Sequence, residues 1–478
     1  MLIFALILYF SCLTALVIWS SRKVKSSSDF IIGNRSMSFW LTAMAAHASD
    51  MSSWLFMGYP ALIFTGGLFK SWVAVGLILC MGLNWQFVAA KFRSLTGQWN
   101  CSTFSSFLHR RYKDDSGLLQ VFSAFFCFVF YIVYICSGLT GLGILGQSLF
   151  GVSYETSILA GAAIVVAYVI MGGFVTLAWI DLVQGIFLLA VICIVPFVIV
   201  NRVGGWDNVM QEWAIQSADL KMWPQSALEF FSVITMIFGW GLGYFGQPHI
   251  ITKFMGIKNP EEISKSRNVG MAWMILSLAA ATLVGLVGIS FFKGALNDPQ
   301  MVFIEMAKHT FSPFLVGLIL CAVLAATINV MSSQLLILSS ILTEDVYKRL
   351  FKASDVSSRH LLNVSRLWVV LAAILAYGIA YGQFGSIYHL VHYAWSGLGA
   401  SFGPLTLVAL YSDKANRNGA IAGILTGGIT AGLWPYANAL LPIPVDALIP
   451  GFLLSTLSIF AVSFLTRTEA ASLSPSKR

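Results

Sequence analysis

Charge is the scarce commodity in this sequence. Lys, Arg, Asp and Glu make up 10% of its 478 residues, against 58% hydrophobic residues and a mean hydropathy of +0.81. Soluble globular chains carry about 25% charged residues, so this deficit excludes an ordinary soluble domain. Alternating hydrophobicity over roughly 10-residue segments, the mark of a membrane β-barrel, is absent as well. The seven cysteines (Cys12, Cys80, Cys101, Cys127, Cys136, Cys193 and Cys321) are scattered, mostly inside apolar runs. No CxxC or Cys/His spacing joins them, so neither a disulfide frame nor a zinc site is indicated. A Walker A loop, HExxH, paired catalytic carboxylates and a Ser/His/Asp arrangement are likewise missing, which argues against an enzyme and against a resident cofactor. No interval between the apolar runs is long enough to fold as a domain of its own.

What the chain does have is runs of roughly 20 apolar residues, each able as a helix to cross a hydrocarbon layer about 30 Å thick. Thirteen spans are expected, at 2–19, 38–63, 67–91, 117–148, 156–175, 178–201, 226–256, 267–292, 302–342, 364–382, 385–411, 418–440 and 448–466. The first has no basic flank before it and no small-residue cleavage site after it, so it reads as a retained span. The interval around 343–363, beginning Thr343-Glu344-Asp345, reads as a short helix outside the hydrocarbon.

The basic residues fall into two alternating sets of intervals. One holds Arg22, Lys23, Lys25, Arg35, Lys91, Arg93, Arg110, Arg111, Lys113, Lys253, Lys258, Lys265, Arg267, Lys348, Arg349, Lys352, Arg359, Arg366, Lys414, Arg417, Arg467, Lys477 and Arg478; the other holds Lys70, Arg202, Lys221, Lys293 and Lys308. Cytoplasmic loops carry the Lys/Arg excess, which places the N-terminus outside and the C-terminus in the cytoplasm. The net charge of +8 is thereby a topology signal and not a nucleic-acid-binding surface.

Two spans cannot be ordinary helices. The second contains Ala48-Ser49-Asp50-Met51-Ser52-Ser53-Trp54. An acid near a span centre costs about 2.5–3.5 kcal/mol on insertion scales and marks a functional interior position, and the serines compete for backbone hydrogen bonds. The seventh contains Gly239-Trp240-Gly241-Leu242-Gly243-Tyr244-Phe245-Gly246-Gln247-Pro248. Glycine costs about 1 and proline about 3 kcal/mol relative to alanine in a helix, so this run is expected to break. Irregular backbone at membrane depth is tolerated where it lines a cavity or is buried in protein. Trp240 and Tyr244, four apart, share a helix face. Spans two to six and seven to eleven make two sets of five, each opened by a broken helix, and such a pair points to a midplane site in an inverted-repeat transporter. The expected organisation is a peripheral first span with its loop (1–37), a first five-helix repeat (38–201), a second (226–411), and two peripheral C-terminal spans with a tail (412–478). Gly141-Leu142-Gly143-Ile144-Leu145-Gly146 and Gly241 through Gly246 both match GxGxxG, but neither follows a strand in a βαβ unit, which a dinucleotide site requires.

Ala48 through Ser52, Trp240 through Ile250, and Ser340-Ile341-Leu342-Thr343-Glu344-Asp345 resemble the sodium/proline branch of the sodium:solute symporter family. Tyr154-Glu155-Thr156, Met171-Gly172-Gly173-Phe174 and Tyr393-Ala394-Trp395 extend the resemblance to the last span. The resemblance implies an all-α polytopic membrane protein with a LeuT-type 5+5 inverted-repeat core, working by alternating access in a bacterial inner membrane. It implies L-proline as cargo, met by Ser52, Trp54, Tyr134, Trp240, Tyr244 and Pro248. It implies a sodium site at Ala48, Met51, Ala326 and Asn329, and functional acids at Asp50 and Asp181. The family places two adjacent hydroxyl residues at the end of that sodium site, where this chain has Asn329-Val330. A hard cation needs oxygen ligands; Asn329 offers one and the Val330 side chain none. His47 also departs from the usual small residue, and an intramembrane histidine is either a satisfied core residue or a proton-relay partner. Sodium is the expected coupling ion and the proton the alternative. Another small amino acid as cargo, uncoupled transport, or a non-transporting sensor remain rivals. The partners implied are the small-molecule substrate and the lipid bilayer, with no nucleic acid and no obligatory protein partner.

Overall fold

The apolar runs become helices wherever a small polar residue can start them. Ser38, Ser226 and Ser386 each accept a hydrogen bond from the N–H three residues on, which satisfies one of the unpaired donors of a helix start. The structure, a computed structural model, describes residues 1–21, 27–215, 220–350, 356–441 and 444–472. The basic positions Arg22, Lys23, Lys25, Lys352, Lys477 and Arg478 lie outside the described residues.

Sixteen helices carry the argument. They are α1 (Leu2–Ser21), α2 (Phe39–Ala48), α3 (Tyr59–Gly66), α4 (Trp72–Leu83), α5 (Leu118–Phe150), α6 (Tyr154–Met171), α7 (Phe174–Arg202) and α8 (Ala227–Gly241), then α9 (Pro248–Met255), α10 (Ile263–Phe292), α11 (Val302–Thr310), α12 (Pro313–Ile341), α13 (Ser358–Tyr381), α14 (Ile387–Tyr411), α15 (Arg417–Asn438) and α16 (Leu448–Ser472). Among the described residues, ten helical segments are long and apolar enough to cross a membrane. The other three expected spans are the broken segment holding α2 and α3, and the less apolar α14 and α15. α1 packs against α12 and α7, and the α15–α16 hairpin packs against α14. The two broken segments and their partners α4, α5, α7, α10, α12 and α14 lie between these flanks.

Two expectations need correction. The run 302–342 is not one span: at about 1.5 Å per residue it would reach roughly twice the thickness of the hydrocarbon. It divides where Ser312 turns extended before Pro313, leaving α11 as a separate short helix. Nor do Thr343-Glu344-Asp345 begin a separate short helix. α12 continues through them as a wider π-type turn over Leu342–Tyr347, with Thr343 and Asp345 buried. Asp345 accepts from Thr103 Oγ1 at 3.0 Å and from Gln120 Nε2 at 2.7 Å, tying the end of α12 to the start of α5.

The face carrying most of the basic residues is stapled by arginines that donate to loop carbonyls. Arg35 reaches the carbonyls of Thr96 (2.7 Å) and Cys101 (2.8 Å), Arg93 that of Ile257 (2.8 Å), and Arg111 that of Ala409 (2.7 Å). Met37, just before α2, pairs its backbone with Gly256 and Lys258, just after α9 (3.0 and 2.9 Å). The entry to one broken segment is thus fastened to the exit of the other.

Candidate functional site

The first break is sharp. α2 ends at Ala48, Ser52 takes a left-handed φ of +39°, and the chain resumes as a wide turn over Trp54–Gly58 that runs into α3. A non-glycine residue in that region of φ is uncommon. Ser52 holds it by accepting the N–H of Trp54 on its own hydroxyl at 3.2 Å. Ser49 donates back to the carbonyl of Ala45. Among the described residues, the carbonyls of Ala48, Ser49 and Asp50 accept no backbone hydrogen bond, so the break leaves oxygens available at the end of α2.

The second break works differently from its glycine count. Gly239 and Gly241 stay in regular helix; a tight turn follows over Leu242–Gly246, and the chain extends at Gln247 (φ −89°, ψ 102°) before Pro248 opens α9. Proline clashes with a helical residue before it, so Pro248 sets the break. The glycines serve close approach. A Cβ on Gly243 would lie 2.0 Å from Trp395 Nε1, and one on Gly246 2.5 Å from the backbone of Gly403. The loosened backbone is satisfied from outside: Asn84 donates to the Tyr244 carbonyl at 3.1 Å, Trp395 to the Trp240 carbonyl at 2.8 Å, and Gln247 to the Trp395 carbonyl at 3.0 Å.

The breaks meet at one cavity, lined by Asp50, Met51, Trp54, Leu77, Tyr134, Trp240, Tyr244, Val391 and Trp395. The Tyr244 hydroxyl donates to Asp50 Oδ2 at 2.5 Å, joining the two broken segments through buried side chains. Trp54 and Trp240 lie 5.1 Å apart between ring centres, and Tyr244 meets Trp395 edge-on at 5.0 Å. Trp54 Nε1 and Ser53 Oγ are buried without a hydrogen-bond partner among the described residues. The cavity measures about 20 Å³; a water needs about 10–15 Å³ and ligand pockets typically hold about 300–1,000 Å³. This is a closed form of the site.

Of the residues singled out in the sequence, Asp50, Met51, Trp54, Tyr134, Trp240 and Tyr244 line this cavity; Ser52 and Pro248 build its backbone without lining it. His47 points elsewhere. Its Nε2 accepts from Trp85 Nε1 at 3.0 Å, with the rings stacked 12° apart. An indole N–H only donates, so that nitrogen carries no proton. Leu77, Asn84, Val391 and Trp395 were not anticipated. Asn84, a lone amide inside an apolar run, was a legible polar signal for one of them.

Asp181 belongs to a separate buried cluster. Lys253 Nζ, on α9, stands 3.1 Å from Asp181 Oδ2 on α7 and 3.2 Å from Ser333 Oγ on α12. Both charged side chains are sealed, at 1% and 0% exposure. Lys253 is therefore corrected from the cytoplasmic basic set: it is an interior residue paired to an acid. Asn329 neighbours Asp181, but neither its amide atoms nor Asp181 Oδ1 completes a hydrogen bond. The residues expected at the sodium site thus offer the unbonded Ala48 carbonyl and the unpartnered Asn329 Oδ1. Met51 offers a carbonyl that already accepts from Leu55 at 3.0 Å. Ala326 and Val330 are buried in α12.

Two broken helices crossing at a buried, aromatic-walled cavity with one carboxylate define a helical membrane carrier. The profile of the sodium:solute symporter family matches residues 30–427. The chain is 40% identical to a high-affinity proline transporter of Bacillus subtilis, covering 94% of this chain and 95% of that protein. It is 36% identical to a sodium/proline symporter of Escherichia coli, with 98% and 94% covered. A solved structure of a Na+-coupled sialic acid symporter, in a substrate-bound outward-open state, superposes with a TM-score of 0.81 at 17% identity, covering 97% of this chain and 98% of that one. The fold is shared with that symporter, and the LeuT-type architecture expected from the sequence stands. The chain belongs to the sodium:solute symporter family.

Proposed function

We propose that this chain carries L-proline into a bacterial cell across the cytoplasmic membrane, coupled to sodium, by alternating access. The observation that carries the reading is the cavity where the two breaks meet, with Asp50 and Tyr244 hydrogen-bonded inside a wall of Trp54, Trp240 and Trp395. The two relatives, a proline transporter and a sodium/proline symporter, support proline as cargo. In this reading the rings of Trp240 and Tyr244 cover the pyrrolidine, and Tyr134 closes the wall. The unpartnered Trp54 Nε1 and the Ser52–Ser53 end of the wide turn, with the unpartnered Ser53 hydroxyl, receive the carboxylate. Asp50 supplies the negative field that a cation answers. Sodium is held by the carbonyls of Ala48, Met51 and Ala326 with the Asn329 amide oxygen, and Asp181 acts through its partner Lys253. Residues 38–201 and 226–411 act as the two five-helix repeats. The N-terminus lies outside and the C-terminus inside, following the basic-residue asymmetry.

The missing oxygen at Val330 favours one second reading, proton coupling. Since His47 is engaged by Trp85, that reading rests on Asp50 and Asp181. Uptake of radiolabelled L-proline into proteoliposomes under an inward sodium gradient, an inward proton gradient or neither tests both. Sodium-driven uptake supports the main proposal, uptake driven by protons alone replaces it, and no proline uptake under any gradient returns the question to another cargo or to a sensor.

A further inference from the structure

Above the cavity, toward the face proposed as external, Trp240 is held from a second side. Its Nε1 donates to the Tyr388 hydroxyl at 3.2 Å, and its ring lies 5.3 Å from Tyr388 and 4.8 Å from His392, both on α14. Those two rings are parallel within 5°. Behind them His392 Nε2 stands 3.5 Å from Asp446 Oδ1, in the segment between α15 and α16. Asp446 is pressed so closely on α8 that a Cβ added to Gly239, the residue before Trp240, would lie 2.1 Å from its Oδ2. The segment is pinned in place. Trp434 Nε1 donates to the Val445 carbonyl at 2.7 Å, the Val445 N–H to Asn438 Oδ1 at 2.9 Å, and the Ile449 N–H to the Asp446 carbonyl at 3.0 Å. Exposure climbs from Trp240 (3%) through His392 (17%) to Asp446 (31%), so this tier separates the cavity from water.

We propose that His392 and Asp446 are positioning residues that clamp Trp240 over the closed cavity, and that the cavity opens outward only when this clamp parts. The inference rests on the reading of the cavity as the substrate site. Three elements converge at the clamp: α8 through Gly239 and Trp240, α14 through Tyr388 and His392, and the α15–α16 segment through Asp446. An outward path between α8 and α14 has to separate Trp240 from Tyr388 and His392, and Asp446 holds both sides. A peripheral hairpin, outside the two repeats, therefore acts on the transport cycle.

The groups facing the imidazole are the Asp446 carboxylate, the Gly239 carbonyl, the Trp240 ring, and Tyr388 and His389 on its own helix; His389 is engaged by Ser386 at 3.0 Å. No lysine or arginine is among them. A neutral imidazole binds Asp446 weakly and an imidazolium binds it as an ion pair, so acidifying the outside until the imidazole gains its proton tightens the clamp. Weakening the clamp enlarges the outward-open fraction, which lowers the apparent KM for external substrate, because apparent affinity scales with the competent fraction.

The test uses V391C, whose cysteine lines the cavity, labelled in intact cells by a membrane-impermeant maleimide, with the parent chain as the blank. Added to V391C, D446N and H392Q should each label about tenfold faster in external acid, where the pair is charged, a change equal to about 1.4 kcal/mol. In the chain without V391C they should lower the KM for external proline and lose the acid limb of uptake, and D446E should keep both properties. Y388F, which spares the charged pair and removes only the Trp240 acceptor, serves if the other variants do not reach the membrane, and should also label faster. Unchanged labelling in the variants that reach the membrane overturns the clamp. So does a raised KM with a wild-type acid limb, the outcome of mere structural damage. Faster labelling in a protein that takes up no proline leaves the clamp standing and removes the cargo reading alone.

Discussion

Asp50 and Asp181 are both sealed from solvent, at 5% and 0% exposure, yet one faces a phenol and the other an ammonium. The Tyr244 hydroxyl gives Asp50 one hydrogen bond and no countercharge. Lys253 gives Asp181 both, and Ser333 gives Lys253 a further acceptor. A buried carboxylate is costly unless it is paired or neutralised, so the two sites have different needs. Asp181 is balanced within the chain, and its pair ties α7, α9 and α12 into one block. Asp50 has no such balance among the described residues, and it sits where the two breaks open a cavity. The proposed carrier has use for both: a fixed ion pair holding α9, and an uncompensated charge where the proposed cation and cargo would meet.

The largest effect should come from breaking the fixed pair. K253M leaves Asp181 charged and alone, and removing one partner of a buried pair costs about 3–5 kcal/mol. Thermal unfolding in detergent should show that loss, and K253M/D181N should recover most of it, because the second change removes the stranded charge. A single K253M as stable as the parent would erase the distinction between the sites. D50N should behave in the opposite way. Its amide oxygen can still accept from Tyr244, so stability should stay near that of the parent while the charge is gone. The cation concentration for half-maximal proline uptake should rise about a hundredfold, or about 2.8 kcal/mol. An unchanged cation dependence would deny Asp50 its role. Y244F keeps the charge and removes its hydrogen bond, for about 1.5 kcal/mol, or about tenfold in the same measurement.

Asp50 was legible in the sequence as an interior polar position, because an acid among serines inside an apolar run is costly to insert. The second break was legible too, although glycine frequency pointed to it for the wrong reason: Pro248 makes the break, and Gly243 and Gly246 admit neighbouring atoms. The aromatic set at the cavity came from motif likeness as much as from spacing. Lys253 was not legible. A lysine at the end of an apolar run reads as a cytoplasmic anchor, and its partner lies 72 residues earlier on another helix. The same limit hid His392 and Asp446, which meet only through the packing of α14 against the C-terminal hairpin. The division of 302–342 could have been found by length alone, since no membrane is thick enough for that run.

Asp114 supplies the smallest test of the comparison, because it is buried but lies before α5, outside the spans, and makes no ion pair among the described residues, with only the more distant charge of His109 acting on it. It accepts from Ser116 Oγ at 2.5 Å and from the Leu119 N–H at 2.8 Å. Burial alone would push its carboxyl up, but these donors, the Gly117 N–H and, last in size, the charge of His109 outweigh it and hold the carboxyl below its ordinary range. A carboxyl lowered by folding adds stability that is present above the unfolded value, near about 3.9. That stability is lost as the pH falls through the lower folded value. D114A should therefore cost about 1 kcal/mol at neutral pH, and its deficit against the parent should shrink as the pH is lowered through that window. A deficit that holds constant across the window would mean that the ionised carboxylate contributes nothing. Several hydrogen bonds helped by the charge of His109 would then be insufficient to stabilise a buried charge in this protein, and the sole phenol at Asp50 would be still less adequate without a bound cation.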